Sequence, residues 1–463
     1  MSLQNPQSRC SIAAISTAQA PGGIGIIRIS GEDSFEIADR VFSSAGGKKI
    51  SDTPGYTALY GHVHEPGKNE IIDEAVALVF RAPHSYTGEN VVELSCHGGL
   101  FLVKKLLSAV FSAGAAPASP GEFTKRAFLN GKMNLTQAES VMELISAQGE
   151  QAARTALAGH EGALEKRISQ IREKLISAAA HLSAWADYPE EDIPQVSTDS
   201  LKTMLDSVKG EISLLLSQFD AGKAIRSGVD TVIVGRPNVG KSTLMNLLTG
   251  CERSIVTQFA GTTRDIVEEQ VILGDVLLNL ADTAGIRFTE DPVESIGVDR
   301  AKKRIETAQL ILAVFDSSQE LNEEDQELLS SVRGIPAIAV INKSDLKAKI
   351  DDKYIQKYIK QIVYISAKSG DGLPELKSAV AAVLQTASLN PADGILFTAR
   401  QRADALRANE CVEEALDALS SGMTLDAVTV SIEGAVSALL ELTGERATEA
   451  VVDAVFSKFC VGK

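Results

Sequence analysis

Residues 235–242 read GRPNVGKS, directly after the apolar run Thr231–Val234 and directly before Thr243–Leu248. Strand, glycine-bounded loop and helix must therefore succeed one another without a spacer, as at the start of a crossover unit in a parallel sheet. Gly235 and Gly240 let the backbone turn its N–H groups toward a polyphosphate, and the cradle continues through Asn238, Val239, Lys241, Ser242 and Thr243. Lys241 supplies a positive charge for the β- and γ-oxygens, and the Ser242 hydroxyl suits a magnesium ion. A glycine-rich turn that binds nothing has the same local pattern, so the decision rests on the motifs downstream of residue 248.

Three more apolar runs end in polar motifs. Val276–Ala281 ends in Asp282-Thr-Ala-Gly285, where the acid can hold magnesium through water and the glycine N–H can meet a γ-phosphate. Ala337–Ile341 ends in Asn342-Lys-Ser-Asp345. The Asp345 carboxylate can accept two hydrogen bonds from the N1 and N2 edge of guanine, while Asn342 and the Lys343 stem pack about the ring; the wrong base leaves that carboxylate unpaired. Ile362–Ile365 leads into Ser366, Ala367 and Lys368, where a backbone N–H can reach the guanine oxygen. All of these lie at carboxyl ends of strands, where an open parallel sheet binds ligands. The nucleotide expected is GTP.

A further magnesium ligand is expected in the loop after the first helix, at Thr263 within Gly261–Asp265, the place of a switch segment. Ile286 follows Gly285, so a water-orienting glutamine is missing there, and the acidic residues Glu290, Asp291 and Glu294 lie close by. Spacing does not choose among them.

A chain of 463 residues suggests about three domains, and 44% hydrophobic with 23% charged residues is ordinary for a soluble protein. No apolar run reaches the length of a membrane span, and the first nine residues hold no apolar signal core, so neither membrane insertion nor export is expected. Cys10, Cys96, Cys251, Cys411 and Cys460 show no paired metal spacing and are odd in number, which fits a reducing cytoplasm. A net charge of −16 argues against coating nucleic acid by an overall field. The local basic clusters Lys104-Lys105, Lys125-Arg126 and Lys302–Arg304 are read as solvated helix faces.

The chain is read as multidomain. Short β-branched runs over 1–125, such as Gly25–Ser30, Ala75–Phe80 and Val91–Ser95, suggest an α+β N-terminal domain. Leu157, Leu164, Ile168, Ile171, Leu175 and Leu182 recur at helical spacing, as do Leu201, Leu205, Val208, Ile212, Leu215 and Phe219, and Arg400–Leu419 and Val428–Leu442 behave likewise. Residues 126–227 and 389–463 would then form one all-α helical bundle, with an α/β P-loop GTPase domain inserted at 228–388.

Arg28 and Glu93 each lie inside an apolar run, and a buried charge demands a partner. Either they pair with each other or face solvent, or Arg28 binds an anion and Glu93 takes two donors from a heterocycle such as a pterin. Cys460 lies close to a terminal lysine; most such cysteines are inert, but a tail folded into an active site could use the thiol as nucleophile, acid or base. His97-Gly-Gly99 lacks a Gly-x-Ser-x-Gly elbow to make an esterase, and Lys463 is a poor end for a prenylation signal.

Gly22–Gly31 (GGIGIIRISG), Pro120–Lys132 (PGEFTKRAFLNGK), the inserted GTPase and the ending Phe459–Lys463 (FCVGK) together carry a resemblance. Over essentially its full length the chain resembles the bacterial tRNA modification GTPases of the MnmE, or TrmE, family. Small departures occur at Ala20-Pro21, Asn134 and Val461, where Gly-Arg, Asp and Ile are common. The resemblance implies a homodimer formed through the N-terminal domain, which would hold a tetrahydrofolate derivative (5-formyl or 5,10-methylene). It implies an FAD-dependent partner, MnmG, in a heterotetramer that adds an aminomethyl or carboxymethylaminomethyl group to C5 of the wobble uridine of tRNA. Position by position it implies Arg28, Glu93, Lys132 and Lys463 as folate-binding and Cys460 as catalytically important. It also implies potassium in place of an arginine finger, with Asn238 as ligand and Thr257, Phe259 and Thr262 lining its loop, and Glu294 as the catalytic glutamate that orients water. Two other readings are an assembly or signalling GTPase that acts only as a binding switch, and a folate-dependent transferase that acts without tRNA.

Overall fold

A computed structural model describes residues 10–68, 70–187, 197–251, 269–281, 305, 307–386 and 389–463. It divides into two compact units, one of residues up to 142 with 440–463, the other of 143–439. Among the described residues no helix is long and apolar enough to cross a membrane.

The first unit is built on seven strands, β1 (Ile12–Ile15), β2 (Ile24–Ser30), β3 (Phe42–Ser44), β4 (Thr57–His64), β5 (Ile71–Phe80), β6 (Val91–His97) and β7 (Ala116–Pro117), in the order β3-β4-β5-β6-β2-β1-β7. Alternation along each strand divides the sheet into two faces. Ile27, Ile29, Ala75, Ala77, Val79, Val92 and Leu94 point to one of them and share a core with Val103, Leu106, Ala109 and Val110 of the helix Leu100–Ser112. The opposite face carries Ile26, Ser95, Val76 and Tyr60 in one cross-strand row and Arg28, Glu93, Leu78 and Ala58 in the next. The helix Glu449–Phe456 and Phe459 pack on Leu135 and Ala138 of the helix Leu135–Ser146, which joins residues 440–463 to the first unit.

In the second unit the expected helical stripes are buried: Leu164, Ile168, Ile171, Leu175 and Leu182 on Ala163–Asp187, and Leu201, Leu205, Val208, Ile212 and Leu215 on Thr198–Ser217. Leu157 differs. It lies exposed on a separate helix, Glu150–His160, because the chain breaks at Glu161-Gly162 before the long helix starts. The six strands β8 (Val229–Val234), β9 (Glu269–Leu273), β10 (Val276–Ala281), β11 (Leu310–Asp316), β12 (Ala337–Asn342) and β13 (Gln361–Tyr364) form a sheet in the order β13-β12-β11-β8-β10-β9. All neighbours are parallel except β10 and β9. Apolar clusters lie on both of its faces, as a parallel sheet flanked by helices requires. The architecture is thus an α+β N-terminal unit, helices, and an α/β P-loop sheet, and the carboxyl ends of β8, β11, β12 and β13 emerge along one edge.

Candidate nucleotide site and N-terminal charge cluster

β8 delivers the chain into Gly235 (φ +155), Asn238 (φ +65) and Gly240 (φ +99), and the helix Lys241–Cys251 starts at once. A side chain at Gly240 would place its Cβ 2.2 Å from Asn342 Nδ2, so the loop can approach β12 this closely only with glycine there. Lys241 Nζ donates to the carbonyls of Gly235 (2.7 Å) and Arg236 (2.9 Å), lying back over the loop it would share with a polyphosphate. Ser242, Thr243 and Asn238 lie at the loop and the first helical turn, and Val239 is buried beneath it.

Asn342 is buried at the end of β12 and joins two loops: its Nδ2 donates to the Val239 carbonyl (2.8 Å) and its Oδ1 accepts from the Ala367 N–H (3.0 Å). The phosphate loop and the segment Ser366–Lys368 are therefore held by one amide. Lys343 reaches the Asn238 carbonyl (3.0 Å) and pairs with Asp316 (2.6 Å). Burial alone would raise the Asp316 carboxyl, but hydrogen bonds from Lys343 and Ser318 hold it below the ordinary carboxylate value. Asp345 and Lys368 are exposed beside these loops. Ser366 Oγ is buried with no hydrogen-bond partner among the described residues, an orphan that a bound group or a moved neighbour could satisfy. Sequence reasoning missed Asp316; an acidic residue ending the apolar run Leu310–Phe315 was the available signal. Asp282, Gly285, Thr257, Phe259, Thr262, Thr263, Glu290, Asp291 and Glu294 lie outside the described residues, as do Lys302, Lys303 and Arg304.

In the first unit Arg28 and Glu93 are direct cross-strand partners on β2 and β6, and they pair through Nε (2.8 Å) and Nη2 (2.7 Å) to Oε1. The guanidinium also lies over the rings of Tyr86 and Phe123, 5.3 and 5.6 Å from their centroids. The tail brings Lys463 into the field of this pair and of Cys460; burial, then the Arg28 charge, push its ammonium below the usual lysine value. Cys460 is exposed, and its carbonyl accepts from the Gly121 N–H (3.3 Å). Lys132 donates to the Pro83 carbonyl (3.1 Å) and lies against Gly88, on the loop that carries Tyr86. The structure therefore gathers Arg28, Glu93, Lys463 and Cys460, with Lys132 on the neighbouring loop.

Arg126 corrects the reading of Lys125-Arg126 as a solvated face. It is buried and pairs with Glu89 (3.2 Å) and Glu122 (3.0 Å), while Glu89 also accepts from Ser30 (2.7 Å). The Glu122 pair has the helical spacing i,i+4 and is visible in the sequence, whereas the Glu89 pair is not, because Glu89 lies on a distant loop.

Residues 11–132 match the family description "GTP-binding protein TrmE N-terminus" and residues 135–460 match "MnmE helical domain". The chain is 42% identical over 455 residues to a tRNA modification GTPase MnmE from Alkaliphilus oremlandii, covering 98% of this chain and 99% of that protein. A protein of the same name from Clostridioides difficile is 41% identical over 455 residues, with the same coverage of 98% and 99%. Among solved structures, the G domain of the T. maritima FeoB iron transporter is 28% identical and covers 34% of this chain and 98% of its own, with a TM-score of 0.25. Aquifex aeolicus Era is 30% identical, covering 40% of this chain and 66% of its own, at a TM-score of 0.27. On the two matched family descriptions and the full-length identity to these relatives, the chain belongs to the MnmE family of tRNA modification GTPases.

Proposed function

We propose that the chain binds and hydrolyses GTP and, by that cycle, drives modification of the wobble uridine of tRNA. The observation that carries this is the Asn342 amide, which ties the phosphate loop to the segment after β13. Triphosphate would lie on the N–H groups of 235–243, and guanine between Asn342, Lys343, Asp345 and Ser366–Lys368, with its specificity from Asp345. Ser242 and Thr263 would hold magnesium, which neutralises charge on the phosphates when bound. Potassium would sit against Asn238 and the loop of Thr257, Phe259 and Thr262, and Glu294 would orient water. The test is GTP turnover in potassium against sodium, together with Glu294→Ala, expected to keep affinity and lose turnover. Equal rates in the two salts would remove the cation from the reading, and a fully active variant would remove Glu294.

The N-terminal cluster fits a tetrahydrofolate derivative in its donor set: Glu93 can accept from a pterin edge, and Arg28, Lys132 and Lys463 match the glutamate carboxylates in charge. When bound, the folate supplies one carbon unit; the chain's own groups orient it, and Cys460 lies beside Lys463 where a thiol could act. The uncovered row of Tyr60 and Val76 supports a homodimer through this unit, and an FAD-dependent partner, MnmG, would complete a heterotetramer on tRNA in the cytoplasm. On this reading the domains run over 1–125, 126–227 with 389–463, and 228–388. Cys460→Ser should abolish the wobble modification with GTP hydrolysis intact; unchanged tRNA nucleosides by mass spectrometry would favour a GTPase that works only as a binding switch.

A further inference from the structure

Asp316 ends β11, is 2% exposed, and has no part in the phosphate, base or metal contacts assigned to the nucleotide. Each of its oxygens is engaged. Oδ2 pairs with Lys343 Nζ (2.6 Å) and accepts from Gln319 Nε2 (3.2 Å), and Oδ1 accepts from the Ser318 N–H (3.0 Å) and hydroxyl (2.7 Å). The Lys343 ammonium then reaches the carbonyl of Asn238, 3.0 Å away on the phosphate loop. Lys343 is also bent at the backbone, with φ +61, and its carbonyl accepts from Ser317 Oγ (2.6 Å). The end of β11 thus fixes both the main chain and the charge of the base-binding loop.

We propose that Asp316 is a positioning residue that holds Lys343 across the phosphate loop, so that guanine-nucleotide affinity depends on a carboxylate that touches no nucleotide. A lysine ammonium is a strongly hydrated charge on a flexible stem. Without a buried anion to hold it, it turns to solvent, the stem leaves the ring face, and Asn238 loses its tie to β12. The loss is blind to the edge of the base, because Asp345 alone reads that edge.

The inference rests on the guanine-nucleotide reading, and the two fail differently. Asp316→Asn should weaken GDP and inosine diphosphate by the same factor, about tenfold for a charged hydrogen bond lost. Their ratio should stay as in the unaltered protein, whereas Asp345→Asn should change it. In a Lys343→Met background, Asp316→Asn should cost nothing further. Ser318→Ala, which removes a bond to the other oxygen and leaves the ion pair, should keep GDP affinity within about twofold. Thermal melting checks that every variant is folded. Losses that multiply in the double variant, or a Ser318→Ala defect as large as that of Asp316→Asn, would make Asp316 a structural carboxylate and overturn the inference. An unaltered protein that binds no guanine nucleotide would sink the nucleotide reading itself; unaltered binding with an equally tight Asp316→Asn sinks only the positioning role.

Discussion

Gly462 adopts φ +99, and a Cβ there would stand 2.1 Å from the Ile15 carbonyl oxygen. The Gly462 carbonyl in turn accepts from Ser16 Oγ (3.1 Å), so the tail that carries Cys460 and Lys463 is seated on the end of β1. Gly462→Ala has to move backbone and is expected to undock the tail. Limited trypsin cleavage after the exposed Lys458 should then be faster, while GTP turnover is unchanged; equal cleavage would show that the tail is held elsewhere. A second residue pair gives a pH signature. Asp73 accepts from the His97 N–H and Nδ1, both at 2.8 Å, and that hydrogen bond and its charge raise the imidazole above its ordinary value. A raised folded value means the contribution is complete below the free-histidine value of about 6.5 and disappears as pH rises through the folded one. An NMR titration should place His97 above free histidine, and Asp73→Asn should bring it back.

Elements are more legible in the sequence than their partnerships. β10 runs over Val276–Ala281 as its apolar run does, and the helix Ala399–Ser420 lies where the stripe Arg400–Leu419 puts it, because burial periodicity is a local property. Spacing alone joins Leu157 to the next helix, since it continues the stripe across a turn that periodicity does not see. β11, buried along its whole length, has no glycine-bounded motif after it to mark it as part of a site, and so Asp316 escapes notice with it. Arg126 and Glu89 are far apart in sequence, and a salt bridge between them has no local signature. Helix termini, by contrast, can be tested one residue at a time. Thr398 and Gln401 form a reciprocal capping box at the start of Ala399–Ser420, and Gln401 Oε1 also accepts from the Phe397 N–H (2.8 Å) in a buried setting. Thr398→Ala should cost about 1 kcal/mol in denaturant unfolding. Gln401→Ala strands buried N–H groups and should cost about 1–3 kcal/mol. A smaller loss for Gln401 than for Thr398 would mean that the Phe397 N–H finds another acceptor.

At the scale of the molecule, the N-terminal sheet has one face covered by Leu100–Ser112 and another that leaves Tyr60 at 53% and Val76 at 37% exposed. Exposed apolar side chains in a single cross-strand row are what a self-complementary interface offers, since a two-fold contact uses the same patch on both copies. Val76→Arg would place a long charged side chain in the middle of that row. In a two-fold contact through this row the second copy would bring an identical arginine; although Glu74, exposed on the same face of β5, can screen the charge in part, the like charges should still cost the association several kcal/mol. The sheet itself loses little, because Val76 lies on the uncovered face and the core residues Ala75 and Ala77 are untouched. Light scattering should therefore report a dimer for the unaltered chain and a monomer for Val76→Arg, with the same melting temperature at low concentration and the same GDP affinity. Arg28 and Glu93 stand in the adjoining row of the same face, so if folate binds there as proposed, its affinity for that monomer separates two arrangements. Undiminished binding means each protomer holds a complete site, and lost binding means the second copy supplies part of it. A variant that remains dimeric would move the contact to another surface.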